Sequence, residues 1–459
     1  MKHLFLSAVA GAALLSGCGS KEASNEAAEI VTAVQTDFDL SAELKQITLR
    51  EGDASEAPAA IAAMSLSESG AGPISFQSSS VDGASAEFGG LEIDVDEALI
   101  TAASLTFDGL ETDDTGAPVF SKMTLSGLKL APKDEPGGVD IGDITLLNPS
   151  PSLAAIVAKA VSGNDLDESV SFGDLSFDAF TIDKVNVAID DEDAKGTFDI
   201  ASMALLGKTD DGLGTAMLSG LSLDLADSDG TALADMALQD LTVRGLGGPL
   251  FDVIGAALEN GDLDEQAMAE LAAATSNNPL EPGYDSVSLT GFVADIAGID
   301  VSAPSLEARV ERDSEGFVKK TVTEPFTMTL AADASGEAGA QLAPQLEILG
   351  YETLELSGAG EAVYDKASDI YSIDADKTYL SLKDGFDLSY GLKMEGVSQL
   401  VADINQASLE GDDADPSVML AALQKASVHN FGLKLADKSM MERAFNLAAQ
   451  MSGQEADAI

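Results

Sequence analysis

Apolar residues recur at every second position along much of this chain, with acidic residues between them. The stretch "LEIDVDE" sets Leu91, Ile93 and Val95 on one side and Glu92, Asp94 and Asp96 on the other. "KVNVAID" repeats the pattern with Val185, Val187 and Ile189, and "FDLSYGLKM" with Phe386, Leu388, Tyr390, Leu392 and Met394. A period of two describes strands with one apolar face and one wet, acidic face. Asp-Gly pairs at 82–83, 108–109, 229–230 and 384–385 mark turns between such strands. The fold class expected is mainly β and antiparallel.

Helical spacing interrupts the strands at intervals. "NPSPSLAAIVAKAV" carries Leu153, Ile156, Val157 and Ala160 behind a Ser-Pro start, and "GGPLFDVIGAALEN" repeats the pattern behind Pro249. "DPSVMLAALQKA" has Asp415 as its cap and Pro416 in its first turn. In "SMMERAFNLAAQM", Ser439 and Glu442 are spaced as a capping box, with Met441, Ala444, Ala448 and Met451 on one side.

The chain also echoes itself. Ile47-Thr48-Leu49, Ile144-Thr145-Leu146 and Leu241-Thr242-Val243 follow one another at intervals of 97 residues, each read as a strand end leading toward a helix. "NDLDE" at 164–168 and "GDLDE" at 261–265 are again 97 apart, and "LSGLKL" at Leu125 matches "LSGLSL" at Leu218. The repeats divide residues 37–459 into units of about five strands and a short helix, near 37–143, 144–240, 241–330 and 331–459. Stacked units of this kind pair sheet to sheet, so one long curled or two-layer sheet is expected.

Such a sheet must be soluble despite its apolar face, and composition agrees. There are 24 basic and 79 acidic residues, a net charge of −55, yet 45% of residues are apolar. Disordered acidic chains lack that apolar content. Sparse Lys and Arg exclude nucleic acid as a partner and disfavour electrostatic docking on anionic lipid. An acidic shell suits a saline compartment, where the screening length falls to a few Å.

The first residues give an address. Leu4 to Leu15 form an apolar run of about a dozen residues, the length of a signal-peptide core and short of a spanning helix. Leu15-Ser16-Gly17-Cys18 resembles the lipobox of bacterial lipoproteins, and Cys18 is the only cysteine in the chain. The resemblance implies a signal peptide over 1–17, lipidation of Cys18 with acyl chains such as palmitate, and a tether over 18–36. Two or more acyl chains hold a protein stably at a bilayer. Gly19 stands where some members of that family carry an aspartate that retains them in the inner membrane, which favours the outer membrane, facing the periplasm. With no second thiol there is no disulfide, so stability must come from the core.

Over roughly residues 40–435, blocks of strands followed by a helical crossing segment resemble the repeating β-groove proteins, including the bacterial AsmA-like proteins. That resemblance implies a curled sheet whose apolar concave face carries lipid. AsmA-like proteins are usually held by an N-terminal membrane helix, whereas this chain has the lipobox instead.

Signs of catalysis are poor. His429 is the sole histidine beyond the signal, and no nucleophile elbow or phosphate-binding glycine loop occurs. Acidic clusters at Asp190-Asp191-Glu192-Asp193, Asp227 and Asp229, and Asp412, Asp413 and Asp415 read as solvated turns, since none completes a calcium loop. No cofactor and no metal are expected. The expected function is non-enzymatic: a lipid-anchored envelope protein that binds or shields a hydrophobic ligand in a β-groove lined by Val185, Val187, Leu221, Leu223, Phe386, Leu388 and Tyr390. The alternative is a structural or interaction lipoprotein with a closed β core and an acidic binding surface. A polysaccharide- or peptide-modifying enzyme is a third, lesser reading.

Overall fold

The structure is a computed structural model describing residues 39–94, 98–133, 137–163, 175–190, 194–248, 250, 278–334, 336–409 and 424–452. The signal segment, the tether with Cys18, both "LDE" repeats, the segment 251–277 and residues 415–423 of the helix expected at 415–426 lie outside those residues, and 424–426 are not helical. Mainly β and antiparallel is what forms. Seventeen strands pair antiparallel, and the chain divides into two compact units that part between Gly230 and Thr231.

The first unit contains β1 (Ser78–Asp82), β2 (Ser85–Asp94), β3 (Ala98–Asp108), β4 (Glu111–Thr112), β5 (Pro118–Val119), β6 (Lys122–Pro132), β7 (Gly138–Leu147), β8 (Phe177–Asp190), β9 (Ala194–Thr209) and β10 (Gly212–Asp227). They pair in the order β1-β2-β3-β6-β7-β8-β9-β10, with β4 and β5 forming a small ribbon of their own. Two helices close one end of this unit. Ala57–Ala63 buries Ala57, Ala60 and Ile61. Pro151–Ser162 buries Ala154 and Ala158. The second begins as its sequence predicts, with Pro151 in the first turn and Ser150 Oγ accepting from Leu153 N at 3.3 Å. It ends at Gly163 in the left-handed conformation (φ 74°).

Ile47-Thr48-Leu49 is not a strand end. It is irregular chain held against the start of that helix segment: Asn148 Nδ2 donates to Thr48 O (2.9 Å), and Arg50 N donates to Asn148 Oδ1 (3.2 Å). Thr48 O is satisfied by a side chain and Ile47 N by Leu44 O rather than by a ladder, so the tripeptide repeat does not carry a structural repeat with it.

A crease crosses the first unit in register. Gly90 (φ 64°), Gly127 (φ 64°), Lys184 (φ 54°) and Gly220 (φ 61°) stand in left-handed conformations in the middle of β2, β6, β8 and β10. The intervening strands place Ala103, Gly142 and Ala201 opposite them. At two of the glycines there is little room for a side chain: a Cβ on Gly127 would sit 3.1 Å from Ala103 Cβ, and one on Gly220 only 2.6 Å from Ala201 Cβ. The crease shifts the alternation by one residue on each strand. Phe88 and Leu91, Ala102 and Leu105, Leu125 and Leu128, and Ile141 and Ile144 are each three apart, and all join one apolar cluster. A regular strand would send the members of each pair to opposite faces.

The second unit contains β11 (Ala232–Gly247), β12 (Ser286–Ile296), β13 (Ile299–Arg312), β14 (Val318–Ala332), β15 (Thr353–Asp365), β16 (Ile370–Ile373), β17 (Tyr379–Leu382), β18 (Phe386–Glu395) and β19 (Ser427–Asp437). β11 to β15 pair in sequence, β16 and β17 both bridge β15 and β18, and β19 pairs with β18. Pro325 is tolerated inside β14 because the ladder to β15 shifts register between Thr323 and Phe326. Among the described residues, one core cluster joins Leu280, Val318, Tyr364 and Val397, with half-buried neighbours. Arg312 reinforces it by donating to both carboxylate oxygens of Glu281 (2.7 and 3.0 Å), to Asp285 (2.6 Å) and to Gly316 O (3.0 Å).

Helices punctuate this unit at Glu337–Ile348, Val397–Leu409 and Met440–Ser452. The last lies where the sequence places it but is not started by a capping box. Ser439 Oγ instead donates to Asp384 O (2.6 Å) and accepts from Arg443 Nε (2.7 Å), while Asp437 accepts from Met441 N (3.1 Å). Met441, which the sequence sets on one side with Ala444 and Ala448, is exposed, as are those two alanines. Arg443 secures the helix instead, donating to Leu349 O and Gly350 O and lying over the Tyr351 ring.

Candidate functional site

Beyond the crease, apolar side chains line up across the first unit strand by strand. One register row reads Ile93, Ile100, Leu130, Val139, Val187, Phe198 and Leu223. Two residues nearer the crease, a parallel row runs from Leu91 and Ala102 through Leu128, Ile141, Val185 and Ile200 to Leu221. Strands about 4.8 Å apart make each row an apolar strip of roughly 29 Å. The expected wall residues Val185, Val187, Leu221 and Leu223 therefore share one face.

From β2 to β9 burial fades along this face with distance from the core, whereas the expected wall residues Leu221 and Leu223 of β10 are both buried. Phe88 and Phe107 are fully enclosed among the helices. In the row through Leu91, Ile141, Val185 and Ile200 are half-buried, and in the row through Ile93 every residue but Leu223 is half-buried. A dry sandwich would enclose both rows, because close packing leaves few gaps at a sealed face. Here much of the strip keeps open apolar surface.

The other expected wall residues form a second patch, in the second unit. Phe386 and Leu388 of β18 are half-buried and Tyr390 is 39% exposed. Leu382 and Leu380 of β17 stand opposite Phe386 and Leu388, and Leu435 and Leu433 of β19 stand opposite Leu388 and Tyr390. The reverse side of the same strands is polar. Ser357, Ser381, Asp387, Ser389 and Lys434 border a shallow hollow there, and Lys438 pairs with Asp387 at 2.8 Å.

Polar groups assemble no further site among the described residues. His429 lies near the start of β19, its Nε2 2.8 Å from Glu395 Oε2 on the surface. Asp190 pairs with Lys195, and Asp227 accepts from Asp229 N in a tight turn. Asp191, Glu192, Asp193, Asp412, Asp413 and Asp415 lie outside the described residues. Among the described residues no group of three or more His, Cys, Asp or Glu is placed to hold a metal ion, and no helix is long and apolar enough to cross a membrane.

The most perturbed carboxyl is structural. Asp295 in β12 stands opposite Asp235 and Asp300 on the flanking strands and is 4% exposed. Burial, then the nearby Asp300, push its pKa up to about 6. A folded-state pKa above the unfolded value means that folding favours the protonated form. That contribution is present below about pH 4 and is lost as pH rises through 6. Asp295→Asn is therefore expected to raise stability at pH 8 on the order of 2 kcal/mol and to change little at pH 4. Urea unfolding of both proteins at the two pH values checks this.

The crease is the feature that reading the sequence alone misses. Its signature is an apolar pair three apart enclosing a small or polar pair, as in "FGGL" at 88–91, "LSGL" at 125–128 and 218–221, "IGDI" at 141–144 and "LTGF" at 289–292. A sequence model of a family described only as "Uncharacterized protein" matches residues 379–459, which include β17 to β19. No curated protein and no solved structure matches the chain.

Proposed function

We propose that this chain is a lipid-anchored protein of the bacterial cell envelope, facing the periplasm, that binds or shields a hydrophobic molecule on the apolar face of its sheet. The observation that carries the reading is the strip through Val139, Val187 and Phe198, which remains half-buried beside a core that is otherwise closed. Apolar surface held open in ordered rows serves a ligand better than it serves stability, since each exposed Å² forgoes roughly 25 cal/mol. The acidic exterior keeps such a protein soluble. The proposed activity is binding rather than chemistry.

Two tests separate address from ligand. Cys18→Ala is expected to move the protein from the membrane fraction to the soluble fraction; retention through a salt wash would remove the lipoprotein reading. Val187→Asp combined with Phe198→Asp is expected to lower the content of extractable hydrophobic ligand at least several-fold, with circular dichroism unchanged. Unchanged ligand content in that variant would place binding elsewhere.

A further inference from the structure

Strand β19 is left bare in the second unit. Among the described residues it pairs with β18 alone, and all of its residues are exposed. Val428, Phe431, Leu433 and Leu435 are 53–65% open. Lys438 N donates to Gly385 O at 2.8 Å. By alternation, the even-numbered backbone groups of β19 turn toward β18, and those of Phe431, Leu433 and Leu435 turn outward. Soluble proteins blunt such edges with proline, bulges or charge. Between Asn430 and Ala436 there is one charge, Lys434, and no proline.

The edge is complementary to itself. With a two-fold axis at Leu433, antiparallel pairing sets Leu433 against its own counterpart and Phe431 against Leu435, within the regular stretch beyond the register shift at His429. Lys434 then meets Gly432. Centring the axis on Lys434 would oppose two lysines, and centring it on Gly432 would oppose His429 to Leu435. Copies of a chain with net charge −55 repel, but this strand is poor in acidic residues. From 424 to 438 Asp437 is the only acidic residue, against Lys425, Lys434, Lys438 and His429. The carboxylates bordering the strand, Glu395, Asp387 and Asp403, are already engaged by His429, Lys438 and Lys425.

The geometry points to a two-fold dimer in which the β19 edges of two copies of this chain pair antiparallel about Leu433. The outward pairs supply about six main-chain hydrogen bonds, and Phe431, Leu433 and Leu435 of both copies form a continuous apolar ladder. The inference is independent of the ligand reading, because it rests on the edge and its register.

Single cysteines test it, in full-length chain carrying Cys18→Ala and therefore no other thiol. A hydrogen-bonded antiparallel pair holds Cα atoms about 5.5 Å apart, within disulfide reach. Leu433→Cys is expected to form mostly cross-linked dimer under mild oxidation. Phe431→Cys, and Val81→Cys on the exposed strand β1, should stay at background. In sedimentation the parent protein should run as a dimer that salt strengthens, and Leu435→Lys should run as a monomer. A parent that sediments as a monomer, with Leu433→Cys no more cross-linked than Val81→Cys, overturns the inference. So does a monomer carrying lipid or a different protein on β19.

Discussion

Phe107→Ala is expected to cost about 4 kcal/mol of stability. The ring is fully buried and meets Phe120 edge to face with centroids 5.2 Å apart. Leu105, Leu110, Met64 and residues of the helices Ala57–Ala63 and Pro151–Ser162 belong to the same cluster. Alanine would leave a cavity that the sheet cannot collapse, since β3 is held on both sides by β2 and β6. Val187→Ala, on the open strip, loses less surface and should cost about 1 kcal/mol or less. Urea unfolding followed by far-ultraviolet circular dichroism measures both. Equal costs would mean that the strip is packed as tightly as the core.

Gly220→Val is expected to be nearly as damaging, at about 3 kcal/mol. A left-handed residue other than glycine costs roughly 1–2 kcal/mol, and overpacking adds 1–3 kcal/mol. Both apply, because Gly220 has φ 61° and its added Cβ would press on Ala201 Cβ at 2.6 Å. Lys184 holds the same conformation on β8 without being glycine, so Lys184→Gly should be neutral or stabilising by about 1 kcal/mol. Opposite signs at two positions of one crease are a demanding pattern. If Gly220→Val unfolds at the wild-type urea concentration, the crease does not determine the sheet's geometry.

Alternation makes the strands legible in the amino-acid sequence itself. It also sets Val185 with Val187, and Leu221 with Leu223, on one side of their own strands, because a period of two is imposed by the backbone; that the two pairs share a face follows from the register through β9. The helix at 151–162 is legible for a similar reason: Ser150 and Pro151 act locally, within one turn. What stays hidden depends on partners far along the chain. Val397–Leu409 is begun by Asp369, whose carboxylate accepts from Ser398 N and Ser398 Oγ across 29 residues. Ser439 has the spacing of a cap, but the carbonyl of Asp384 claims its hydroxyl. The crease is hidden because "LSGL" reads as a flaw in a single strand and acquires meaning only when seven strands set such positions in register. Whether an alternating face is open or sealed is likewise not local. Val187 and Phe107 belong to similar patterns, yet one is half-buried and the other enclosed.

That difference between an open strip and a sealed core is what the proposed function turns on, and one measurement addresses it most directly. The chain is purified with mild detergent from its native membrane, extracted with organic solvent, and the extract is weighed against protein by mass spectrometry. The acyl groups proposed for Cys18 would stay with the protein, so only non-covalent ligand is counted. About one hydrophobic molecule per chain, retained through purification, is the predicted result. A folded protein with a clean extract would contradict it, and would mean that the half-buried rows through Val139 and Val187 are part of a closed core.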